Sequence, residues 1–195
     1  MATQSLTFGG QTFMYTTPLS VESEERVFRD ESLSLRIITN TSTAQRWLAD
    51  ITLAVDNGSN KSAAVMSTHK ALHGFTRSFT IPMPQHLGAE AQGSLNVNAL
   101  AVVTGQESVI TTNGTGSVDV GRYITLPGST KVYQVTQSDT NRLEIFPNLV
   151  ADVLAGPINT EPNLTCFYAE NDNQRIRWEN GTLSTISLSL VEALT

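Results

Sequence analysis

The sequence predicts a mainly β protein with one helix, built as two domains of which one interrupts the other. Three observations carry that reading. Ile186, Leu188 and Leu190 alternate with Ser187, Ser189 and Val191, the period of a half-buried strand. Such a strand needs a partner laid down earlier in the chain, because an unpaired edge invites aggregation. Short strand-like runs separated by turn signals crowd residues 94–179, the pattern of a small barrel or sandwich. Charged residues make up only 15% of the chain, against about 25% in an average domain. Ser, Thr and Asn fill the polar positions instead, which favours sheet over helix.

Taken in order, residues 31–39 place Leu33, Leu35 and Ile37 opposite Ser32, Ser34 and Arg36. Residues 45–55 set Trp47, Ala49, Ile51, Leu53 and Val55 against Arg46, Asp50 and Thr52. Both runs read as strands with one face on a core. Asp56-Asn57-Gly58-Ser59 breaks the pattern. Val65, His69 and Leu72 then recur at helical spacing, with Ser59 or Asn60 as cap and Gly74 as terminator, which predicts a helix near 60–73. Phe75, Arg77, Phe79 and Ile81 resume alternation until Pro82-Met83-Pro84.

Strands are predicted at 94–103, 107–112, 122–126, 130–136, 142–146, 164–169 and 174–179. Turns are expected at Thr104-Gly105, Asn113-Gly114, Pro127-Gly128, Ser138-Asp139 and Asn171-Asp172-Asn173. Residues 147–163 form one longer connection carrying Leu149 to Leu154. The strand after Asn180-Gly181 cannot extend a barrel that already looks complete. The expected domains are therefore 1–88 plus 176–195, holding the helix, and an inserted β-barrel at 89–175.

The net charge of −6 argues against nucleic acid and anionic lipid as partners, since both are gripped by clustered Lys and Arg. The densest charge patch, Glu22 to Glu31, is mainly acidic and reads as a solvated loop. No apolar run approaches the length of a transmembrane helix, and Met1 to Ser5 lacks the start of a signal peptide, so a cytoplasmically made protein without membrane insertion is expected. Cys166, in an apolar run, reads as a buried inert thiol rather than a nucleophile. Asn40, Asn57, Asn60, Asn113, Asn163 and Asn180 match Asn-x-Ser/Thr through the abundance of those residues.

The histidines suggest little chemistry. His69 and His73 stand at i and i+4, a chelating spacing, but no third ligand adjoins them in the helix. His86 has no visible partner. Gly114-Thr115-Gly116-Ser117 resembles a phosphate loop yet precedes strand-like residues, so it reads as a hairpin turn. No catalytic, cofactor-binding or metal residues are expected, and no enzyme.

Several runs resemble a known family. Val120 to Leu126, Lys131 to Thr136 and Arg142 to Leu149 are similar to the inserted β-rich domain of distal tail proteins from long flexible-tailed (siphovirus) bacteriophages. Asn180 to Leu194 resembles the final strand of those proteins. Ala44 to Trp47 and the run from Leu72 through Phe79 to Gln85 fit their first domain. Arg122 departs from the acidic residue often found after the glycine.

The resemblance implies a β-sandwich-like ring domain completed by the final strand, with an inserted barrel of the oligonucleotide/oligosaccharide-binding (OB) type. It implies a structural virion protein at the tail tip, forming a hexameric ring of its own copies. That ring would join the tail tube protein to the baseplate hub and in some phages carry side-fibre or collar proteins. An alternative is a carbohydrate-binding module for host-surface attachment, with Tyr123, Tyr133, Phe146, Phe167 and Tyr168 as stacking candidates.

Overall fold

The structure, a computed structural model, describes residues 5–8, 11–14, 20–31, 37–56, 63, 67, 78–85, 90–98, 108–169, 176–178 and 183–193. Its described elements are strands, so the protein is mainly β. The helix expected near 60–73 lies outside the described residues apart from Ala63 and Ser67, both exposed. Leu33 and Leu35 also lie outside them, as do His69, His73 and His86. The chain divides into two compact units.

The first unit comprises Met1–Ser23, Arg46–Ile81 and Thr165–Leu194. It opens with β1 (Ser5–Phe8) and β2 (Gln11–Met14), paired antiparallel from Ser5↔Met14 to Phe8↔Gln11. A sheet runs in the order β3 (Ser20–Glu31), β4 (Ile37–Asp56), β16 (Leu183–Glu192), β14 (Asn163–Tyr168) and β5 (Phe79–Pro82), and β15 (Ile176–Trp178) also pairs β16. The stretch Glu24–Gln45 of β3 and β4 is counted with the second unit.

The late strand β16 therefore lies inside the sheet. Its register with β4 is unbroken from Leu183↔Asp56 to Val191↔Leu48. Leu188 pairs Ile51 and Leu190 pairs Ala49, and all four are buried. Trp47, Leu53 and Val55 continue that buried face, while Asp50 is exposed, as the alternation requires. Each large aliphatic side chain buried in this way contributes about 1.5–3 kcal/mol. On the other face Thr52 Oγ1 lies 3.4 Å from Ser187 Oγ, a polar cross-strand pair.

Two sequence expectations need correction. The patch from Glu22 to Glu31 is strand β3, not a loop. It is a terminal strand of the sheet with Glu22 and Glu25 exposed, and charge on an edge blocks pairing with other chains. Residues 164–169, expected in the barrel, form β14, which pairs with β16 through Tyr168↔Leu190, while β15 pairs with β16 through Ile176↔Ile186 within the stretch 176–195 expected in the first domain. Their apolar alternation shows that a strand faces a core but not which core.

The second unit comprises Glu24–Gln45 and Pro82–Leu164, with Thr195. Its sheet runs β10 (Tyr123–Thr125), β11 (Val132–Asp139), β12 (Arg142–Phe146), β8 (Val109–Gly114), β7 (Leu95–Val97) and β13 (Gly156–Pro157). The sheet curls until its ends meet. Thr125 and Asn159 exchange backbone hydrogen bonds of 2.9 and 3.0 Å, and Ile158 N–H donates to Leu95 O at 2.9 Å.

A bulge in β11 between Val135 and Gln137 sharpens the curl. Ile110, Ile124, Tyr133, Leu143, Ile145 and Leu149 fill the interior. The 147–163 connection contributes too, since Leu149 and Val153 are buried while Val150 and Leu154 face solvent.

Candidate binding cleft

The second unit's most distinctive local feature is a bent ribbon. β6 (Ala91–Gln92) pairs β9 (Ser117–Val118) through Ala91↔Val118 and Gln92↔Ser117. β7 pairs β8 through Leu95↔Gly114, Asn96↔Asn113 and Val97↔Thr112. The two ladders share one register, so β6–β7 and β8–β9 are a single antiparallel ribbon interrupted at Gly93-Ser94 and Thr115-Gly116. Backbone bonds from Asp119 to Glu90 O and from Asn98 to Thr111 O follow the same register, and Gly116 N–H donates to Ser94 O, one residue out of step, at the interruption.

Glycines make the bend possible. A Cβ on Gly116 would stand 2.7 Å from Gln92 O and 2.8 Å from Ser94 C. Gly114 has φ +123°, and its Cβ would meet Ser94 O at 2.4 Å. Contacts that short against backbone exclude any side chain, and that φ is strained for an L residue. Gly114 to Ser117, expected to be a hairpin turn, is thus the outer half of a backbone crossing. Glycine spacing alone does not distinguish the two.

The bend and the tip of the β11–β12 hairpin enclose a cleft of about 540 Å³. One wall is Gly114 to Val118, the other is Ser138 to Thr140, and Leu95 and Val118 lie beneath it with their side chains buried in the unit's core. The hairpin tip is short, with Asp139 pairing Arg142 across Thr140-Asn141. Asp139 Oδ2 accepts a hydrogen bond from Gln137 Nε2 at 3.1 Å. The side chains of Thr115, Ser117, Ser138 and Thr140 make no hydrogen bond to another described residue. One step further along β8, Thr112 is buried and its Oγ1 has no hydrogen-bond partner among the described residues.

Three polar ties elsewhere in this unit escaped sequence reading. Buried Lys131 donates from Nζ to Gln45 O at 3.1 Å and to Gln45 Oε1 at 2.7 Å. Gln85 acts as a surrogate strand for β10: its Oε1 accepts from Tyr123 N–H at 2.9 Å, and its Nε2 donates to Tyr123 O at 3.2 Å. Arg122 Nε donates to Thr160 O at 3.1 Å. Lysine and glutamine usually signal surface, so no pattern in the sequence marks these positions as interior.

The aromatic stacking candidates do not form a platform. Tyr123, Tyr133 and Tyr168 are buried, and Phe146 and Phe167 are half-buried. Burial raises the Tyr123 and Tyr168 phenols above their ordinary range. Phe79 packs against Tyr168 in a tilted pair 5.5 Å apart. Cys166 is buried, its Sγ 3.5 Å from Phe79 O, and burial pushes its thiol up to about 12, the behaviour of an inert thiol.

In the first unit, buried Glu192 accepts a hydrogen bond from Trp47 N–H at 3.1 Å. Among the described residues no three His, Cys, Asp or Glu side chains converge as a metal site, and no helix is long and apolar enough to cross a membrane. No protein-family model matches the chain, and no curated protein is similar to it.

Proposed function

We propose that the protein is a structural ring component at the distal end of a long flexible-tailed phage, a homohexamer joining the tail tube to the baseplate hub. The observation that supports it most is the placement of the family-like runs. Val120 to Leu126, Lys131 to Thr136 and Arg142 to Leu149 carry β10, β11 and β12, three successive neighbours in one curled sheet. Residues 82–164, the larger part of the second unit, lie between β5 and β14 in the chain, and the family-like final run forms β16, which pairs β4 and β14. On this reading the second unit is the outward-projecting OB-type barrel, and it offers a seat for side-fibre or collar proteins.

A ring needs two different complementary patches on each subunit, because head-to-tail contacts must close on themselves. A cyclic assembly of small contacts loses much of its stability when diluted. The test is immunogold electron microscopy of virions from a phage that encodes the chain, alongside mass photometry of the purified protein across a concentration series. Gold confined to the tail tip and a species of six times 21.1 kDa are expected. Gold on the capsid, or along the whole tail, would refute the reading.

A further inference from the structure

The seam of the curled sheet is fastened in two different ways along β10. At Thr125 the fastening is backbone to backbone: Thr125 N–H donates to Asn159 O at 2.9 Å, and Asn159 N–H donates to Thr125 O at 3.0 Å. Tyr123 lies two residues earlier, so its N–H and C=O face the same edge of the strand. There the partner is a side-chain amide. Gln85 accepts from Tyr123 N–H through Oε1 at 2.9 Å. Its Nε2 donates to Tyr123 O at 3.2 Å and to Thr160 O at 3.4 Å. The run before Gln85 has little backbone to offer β10: Pro82 and Pro84 lack an N–H, and Met83 N–H donates to Pro162 O at 3.0 Å.

We infer that Gln85 is a latch on the edge of β10, one that opens on its own while the Thr125–Asn159 fastening stays shut. A backbone pair is held in place by the chain on either side of it. A glutamine amide is held by a flexible stem, whose rotamer freedom returns when it lets go. Gln85 is half-buried, so water can take up its amide on release. The longest of its bonds, 3.4 Å to Thr160 O, is also the weakest in geometry. Local openings that give up so few contacts occur far more often than global unfolding. Two ties hold while the latch is open: Met83 N–H to Pro162 O, and Arg122 Nε to Thr160 O at 3.1 Å. The movement is therefore confined to Gln85 leaving Tyr123. Shut, the latch keeps the ladder position at Tyr123 from pairing with another chain; open, it bares that position. The device is independent of the ring reading.

The test is native-state hydrogen exchange of the full chain, read amide by amide by NMR. In the unsubstituted protein the Tyr123 amide should be about tenfold less protected than those of Thr125 and Asn159. Gln85→Met keeps the length of the side chain and removes its hydrogen bonds. Gln85→Asn keeps the amide and falls one methylene short of Tyr123. Each should lower protection at Tyr123 by about a further tenfold and leave Thr125 and Asn159 within about twofold. Equal protection at Tyr123 and Thr125 in the unsubstituted protein would overturn the proposal. So would either substitution lowering all three amides together, which would make Gln85 part of one cooperative seam. A Gln85→Met protein that does not fold would count against it too, since a latch that opens alone cannot carry the fold.

Discussion

The two units reach a closed core by opposite routes. In the first, β4 and β16 keep one register over nine consecutive pairs, and the inward face is a plain alternation of apolar residues. In the second, strands of two to eight residues are turned by a bulge, a glycine crossing and a side-chain surrogate for a strand. Long register draws its stability from many similar contacts, each replaceable at modest cost. Curvature draws it from a few positions where only one residue type fits.

Substitutions should separate the two designs. Leu188→Asp places a charge opposite Ile51 in the regular sheet and should cost about 4 kcal/mol or leave the protein unfolded, read by urea titration. Leu188→Val at the same site should cost only about 1 kcal/mol, because the register around it persists. Gly116→Ala adds one methyl group and should cost about 2–3 kcal/mol, with altered amide shifts at Gln92 and Ser94. A Gly116→Ala protein as stable as the original would mean that the crossing relaxes freely and that curvature here is not set by single residues.

Lys131→Met keeps the aliphatic stem and removes both hydrogen bonds to Gln45, so about 1–3 kcal/mol should be lost. Loss well below that range would show the tie to be replaceable, like the contacts of the first unit. The gentlest probe is alkaline pH. The Cys166 thiol is raised in the folded state, so the unfolded chain ionises first. Its contribution is intact below the ordinary thiol range and fades as pH climbs towards about 12. Cys166→Ala should flatten the fall in melting temperature above pH 9, where the ordinary thiol begins to titrate. An unchanged slope would place the alkaline sensitivity elsewhere.

Legibility follows the same division. Residues 45–55 and 183–191 were readable because alternation reports burial directly, and the need to cover an edge pointed to an earlier partner for the last strand without saying which, β4 in the structure. Residues 31–39 and 45–55 were read as separate strands, yet β4 runs unbroken from Ile37, since no glycine or proline interrupts Asn40 to Ala44. The charged strand β3 was missed because it lacks the apolar half of the pattern.

The cleft was missed for a different reason. Its walls come from segments twenty or more residues apart, and its glycines differ from turn glycines only in what lies across from them. Gln45, Gln85 and Lys131 act through partners that no local window contains.

The position of β16 within its sheet imposes an order on synthesis. Residues 82–164 leave the ribosome before β16 exists, so the curled unit can close while the first sheet still lacks the strand that joins β4 to β14. Until then, β4 offers an open ladder from Leu48 to Asp56 to any passing chain. Contacts of such sequence separation form slowly. The interval between making β4 and β16 is thus the protein's period of greatest exposure to misassembly, and a chaperone able to hold a bare strand edge would shorten its risk most.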